Sequence, residues 1–163
     1  RVTQAPIIFL TGLASEADIV SALGAGADEF LAKPPRSREL RARVRALLRQ
    51  EQSPSGARDY YDDGYLAIDI PAQRVTKQGQ RVDLSPLEHR LLAYLVARRG
   101  ELAPHRQLIE AMWGKARDNS VTMLHLYVRH LRSLLEPEPS EPRYLLNRFG
   151  EGYWFEPHDS LKS

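Results

Sequence analysis

From Ser120 to Leu135 the chain reads SVTMLHLYVRHLRSLL. At about 100° per residue, Thr122, Met123, Leu126, Arg129 and His130 share one side of a helix. Their chemistry is recognition rather than bond-making. Arg129 or His130 can donate to guanine N7 and O6, and Met123 and Leu126 can meet thymine methyls. The helix is set by Val121, Leu124, Val128, Leu131 and Leu135, an apolar stripe at three- and four-residue steps on the other side.

Two strand-like runs follow, Tyr144–Asn147 and Tyr153–Phe155, joined through Gly150-Glu151-Gly152. A helix with a mixed basic and apolar outer face, followed by a glycine-turned hairpin, fits a winged helix on duplex DNA. The helix would enter the major groove and the hairpin touch the neighbouring backbone or minor groove. The same pattern also fits a surface helix of any small α+β domain.

Enzymatic chemistry has no comparable pattern. No paired carboxylates, metal-ligand spacing, nucleophile–base pair or glycine-rich phosphate loop stands out. His89, His105, His125, His130 and His158 are scattered and read, as far as catalysis goes, as surface or packing residues. The 163 residues carry a net charge of +2, too mild to argue for nucleic acid by itself. Basic residues cluster instead: Lys33, Arg36, Arg38, Arg41, Arg43, Arg45 and Arg49 stand against Glu39 alone. Cysteine is absent, which suits a reducing compartment. No apolar run approaches a membrane span and no signal peptide opens the chain, so a cytoplasmic location and no membrane partner are expected.

Pro6–Leu10 reads as a buried strand and Glu29–Ala32 as a second short strand, Ser15–Leu23 and Ser37–Arg49 as helices. That order belongs to a doubly wound parallel α/β fold. Gln50–Asp63 is polar and aperiodic, a linker. Strands are expected at Tyr65–Ile70, Arg74–Lys77 and Gln80–Leu84. Ser85-Pro86-Leu87-Glu88 is a capping box opening a helix to about Arg99, and Pro104–Trp113 is a second helix. Two strands and two helices bury too little to stand alone, and both sheet edges stay open. Further strands from before Arg1 or from another chain are therefore expected. The alternative is that this segment packs directly on the C-terminal unit.

GADEFLAKP, LSPLEHRLLAYLV, RQLIEAMWG and GEGYWF, in this order and spacing, resemble the OmpR/PhoB family of two-component response regulators over nearly the whole chain. The resemblance implies an incomplete α/β receiver domain at 1–49, a linker at 50–63, an α+β winged-helix DNA-binding domain at 64–157 and a tail at 158–163. Thr11 would hydrogen-bond an aspartyl phosphate, Lys33 would pair with it, and Phe30 would be the switch aromatic before a cis Lys33-Pro34 bond. The family's phosphoacceptor and magnesium-binding acids lie in the half that this chain lacks. No cofactor is expected here, and a sensor histidine kinase is a partner only of a complete receiver.

Val20, Leu23, Glu29, Glu39, Ala42 and Arg43 match the family's homodimer face. One basic position of that face falls on Ile19, and Glu39 and Arg43 can equally pair along their own helix. Trp113, Tyr127 and Arg132 match contacts to the DNA backbone, and Arg148 and Tyr153, the latter in the GEGYWF hallmark, are also expected to bind DNA. Two arginine positions of the recognition helix fall on Thr122 and His130. The wing arginine falls on Phe149, with Arg148 one place early and, by strand alternation, on the other face. The loop Lys115–Ser120 matches a segment that can meet RNA polymerase. Tyr127, His130-Leu131-Arg132 and EPEPSEPR look most like the family's regulators of potassium-transport genes. The rival expectation is a protein-interaction module with little DNA binding.

Overall fold

A computed structural model of the chain describes residues 7–12, 15–25, 27, 29–48, 58–114 and 120–159. The N-terminal unit is β1 (Ile8–Thr11), α1 (Glu16–Gly24), β2 (Glu29–Ala32) and α2 (Ser37–Leu48). β1 and β2 pair in parallel, Ile8 opposite Glu29 and Thr11 opposite Ala32. This half-sheet packs on the C-terminal unit. Helix α1 lies on a C-terminal helix, and Ile19 joins that unit's core, with Val20 and Phe30 packed against it. On the far side Phe9 and Leu10 of β1 stay exposed.

The C-terminal unit opens with an antiparallel sheet of β3 (Tyr60–Asp62), β4 (Leu66–Asp69), β5 (Arg74–Lys77) and β6 (Gln80–Val82) in that spatial order. β3 takes the end of the expected linker; residues 50–57 lie outside the described residues. The cause is Asp63, only 2% exposed. Its carboxylate accepts from the Tyr65 and Leu66 amides at 2.9 and 2.8 Å and from the Tyr61 and Tyr144 hydroxyls at 3.0 and 2.6 Å. Burial works to raise its pKa, but these donors together hold the carboxyl below its ordinary range. The expected tail also gives up a residue: the His158 amide donates to the Tyr61 hydroxyl at 2.9 Å.

Helix α3 (Pro86–Ala97) starts where the capping box requires. The Glu88 amide donates to Ser85 Oγ at 3.3 Å, and the Ser85 amide to Glu88 Oε2 at 2.9 Å. A two-residue strand β7 (Ala103–Pro104) precedes α4 (His105–Trp113), and α5 (Ser120–Leu135) leads into β8 (Leu145–Arg148) and β9 (Gly152–Phe155). β9 is central in the second sheet, between β7 and β8. Gly152 permits this, since a Cβ there would lie 2.0 Å from the Ala103 carbonyl oxygen. The core runs between the sheets and the three helices, with Leu91, Leu95, Leu108, Leu124, Leu131 and Phe155 buried in it. Beyond α5, buried Glu136 accepts from the amides of Arg143, Tyr144 and Leu145 at 2.7, 3.0 and 2.8 Å.

Candidate nucleic-acid interface

Leu124, Val128, Leu131 and Leu135 of α5 are buried, as the stripe requires; Val121, at its first turn, is exposed. The exposed edge of α5 is Val121, Thr122, His125 and Arg129. Thr122, His125 and Arg129 recur at steps of three and four, one helix face. His125 was read from the sequence as scattered, yet it sits at the centre of this edge. Its spacing from Thr122 and Arg129 was the available signal. Its Nδ1 is in hydrogen-bond contact with the Tyr153 hydroxyl of β9. Its ring meets His105 edge-on, with centroids 5.2 Å apart. Burial, with the His125 charge adding to it, pushes His105 below the usual imidazole range.

The hairpin β8–β9 stands beside this edge and is tied to it. Arg132 donates to the Leu145 carbonyl from Nε at 3.0 Å and Nη2 at 2.7 Å, and Nη2 reaches Asn147 Oδ1 at 3.0 Å. Its guanidinium lies 5.7 Å from the Tyr153 ring centre. Arg132, expected on the DNA backbone, therefore holds the hairpin against the helix. Arg148 Nη1 pairs with Glu151 at 3.3 Å. Expected to point away from Phe149, Arg148 lines the same cleft. That cleft, about 330 Å³, is also bordered by His105, Val121, His125, Asn147 and Tyr153. Strand alternation ends at the pair Arg148–Gly152, and Phe149 lies in the turn beyond it.

The other flank of α5 differs from expectation. Met123 and Leu126, expected to meet bases, are 6% and 4% exposed. Leu126 lies about 160° round the helix from Leu124 and Val128, so its own domain's core cannot cover it. Helix α1 packs on α5, and its Ile19 lies in one buried cluster with Met123 and Leu126. His130 faces inward, its Nδ1 in contact with Glu88 Oε1 of the capping box. Tyr127 is fully buried, and the Trp113 ring stands edge-on to it at 5.6 Å. Trp113 Nε1 donates to Glu29 Oε2 across the two units at 2.6 Å.

Glu29 is 1% exposed and lies 3.8 Å from Arg43 Nε, while Arg43 Nη2 lies 3.6 Å from Glu39. The alternative pairing of Glu39 with Arg43 along α2 is thus present. Ala42 and Glu39 stay exposed and Val20 is half-buried; the Leu23 side chain lies outside the described residues. The face expected to meet a second copy and the helix expected to read DNA are packed on each other.

Thr11 ends β1 beside Ala32, and its carbonyl accepts from the Lys33 amide at 2.7 Å. Lys33 is exposed, Phe30 half-buried, and the Lys33–Pro34 bond is cis. Among the described residues, no three His, Asp or Glu side chains gather as a metal site, and no helix is long and apolar enough to cross a membrane. Loop residues 115–119 lie outside the described residues.

Comparison with known proteins places this geometry. The family described as "Transcriptional regulatory protein, C terminal" matches residues 79–155. The KDP operon transcriptional regulatory protein KdpE of Escherichia coli K12 is 35% identical over 150 residues, 92% of this chain and 67% of that protein. The DNA-binding response regulator MtrA of Mycolicibacterium smegmatis is 34% identical over 91% of this chain and 64% of its own. The chain thus spans about two thirds of the length of these relatives. Among solved structures, the response regulator DrrB, a Thermotoga maritima OmpR/PhoB homolog, superposes with a TM-score of 0.56 at 28% identity, covering 94% of this chain and 67% of that one. The Klebsiella pneumoniae RstA DNA-binding domain in complex with RstA box covers 61% of this chain and 98% of its own, with a TM-score of 0.55 at 25% identity.

Proposed function

The chain belongs to the OmpR/PhoB family of response regulators, and from that premise we propose that it regulates transcription by binding duplex DNA through α5 and the β8–β9 hairpin. The observation that carries this reading is the exposed edge Thr122–His125–Arg129 beside a hairpin pinned to the same helix and tipped by Arg148 and Phe149. Arg129 and His125 offer donors for guanine or adenine acceptors, and Arg148 a cation for phosphate.

The packed form does not bind in this way. The major groove is about 12 Å wide and one helix with its side chains fills about 10–12 Å. With α1 against its flank, α5 does not enter, so binding requires the two units to part. The open form then exposes Glu29, Arg43 and Val20, the face through which we propose a homodimer. A sensor histidine kinase and RNA polymerase are the further partners that family membership supports. The likeness to the KDP operon regulator KdpE supports extending this proposal to control of potassium-transport genes.

The test is fluorescence anisotropy with a labelled mixed-sequence duplex over a range of salt. Affinity should fall steeply and linearly on a log–log plot as phosphate contacts release counterions. Binding that is absent, or indifferent to salt, refutes the reading.

A further inference from the structure

The hairpin tip carries a bare aromatic. Phe149 is 96% exposed, far more than any other large hydrophobic residue described. A single exposed ring is ordinary on a protein surface, but this one is held in place. Gly150 takes φ 72°, and the Glu151 amide donates to the Arg148 carbonyl at 3.0 Å, which closes a tight turn with Phe149 at its apex. The root of the hairpin is fixed by Arg132 on Leu145 and Asn147. On the other side Gly152 lies against β7. The ring is therefore presented at a set distance from the edge Thr122–His125–Arg129, with Arg148 as its neighbour.

We propose that Phe149 is an apolar wedge that enters the DNA minor groove next to the major groove occupied by α5, and there partly unstacks one base step and bends the duplex. This rests on the DNA-binding reading above and adds to it the way the hairpin engages. A ring with no polar atom cannot read base-edge acceptors. What it can do in a minor groove is part stacked bases, at flexible pyrimidine–purine steps above all. Arg148, one residue away, supplies the phosphate contact that keeps the tip in the groove.

The experiment uses the full chain and a duplex that it selects from a random-sequence pool, with 2-aminopurine placed in turn at each step of the flanking minor groove. Wild type should raise 2-aminopurine fluorescence at one step and bend the duplex in a gel-phasing assay. Phe149→Ala should bind about tenfold or more weakly and lose both signals. Phe149→Arg should regain affinity through phosphate, steepen the salt dependence and leave the bases stacked. Wild-type binding with no fluorescence rise at any step overturns the wedge and leaves the DNA reading standing. So does a Phe149→Ala chain that unstacks and bends as wild type does. Absence of any binding to duplex overturns both.

Discussion

Replacing Glu29 with alanine should make this chain bind DNA more tightly, although Glu29 lies on β2, outside the elements that face DNA. In the packed form its carboxylate accepts from Trp113 Nε1 at 2.6 Å, and both groups are buried. A hydrogen bond to a charged group contributes about 1.5–3 kcal/mol, and its loss leaves the indole N–H in an apolar contact without its acceptor. Taking about 2 kcal/mol, the ratio of packed to open chains falls roughly thirtyfold. Where the packed form dominates, apparent affinity for any duplex rises by up to the same factor, because affinity scales with the competent fraction. Removing a negative charge also favours DNA slightly. Glu39→Ala makes the same change in charge at an exposed site and supplies the control. Anisotropy with a mixed-sequence duplex at one fixed salt concentration measures both. Equal affinities for the two variants, within twofold, would refute the idea that this contact restrains α5.

Three further outcomes follow from the geometry. His130 is held above the usual imidazole range, chiefly by its hydrogen bond to Glu88, so its stabilising contribution is complete below the ordinary value of 6.5 and fades as pH rises through the raised one. Thermal melts should therefore show Tm falling as pH rises past 6.5, and His130→Gln should flatten that slope. Asp63→Ala strands the Tyr144 hydroxyl and the Tyr65 and Leu66 amides, and should cost about 3 kcal/mol, read as a lower urea midpoint at unchanged slope. Gly152→Ala drives a methyl into the Ala103 carbonyl and should cost about 3 kcal/mol, against about 1 kcal/mol for Gly150→Ala, which meets no atom and strains only a positive φ.

The elements of the C-terminal unit were legible because each had a local cause. The capping box fixed the start of α3, and the Leu124–Leu135 stripe fixed α5 and its inner face. The outer face was legible as outward but not as free. Periodicity places Leu126 opposite its own core and is silent about a second body arriving there, so Met123 and Leu126 were read as base contacts. Nor does spacing show the partners of Trp113 and His130, since Glu29 and Glu88 are 84 and 42 residues away in sequence. β3 was hidden because Tyr60-Tyr61-Asp62 is too short to show alternation and sits among aspartates. What makes it a strand is Asp63 bonding to Tyr144, 81 residues on. β7 exists because Gly152 has no side chain, a fact about a different strand.

The three amides bound by Glu136 have a consequence for how this fold can vary. They fix where β8 begins by reference to the last turn of α5, not by the path of the chain between. Residues 137–142 then carry no information about the position of the hairpin, and they lie at the surface. That segment is a place where length and sequence can drift without moving the wing. Lengthening it, or inserting a reporter after Ser140, should leave operator choice untouched, whereas Glu136 itself is the residue that insertions depend on.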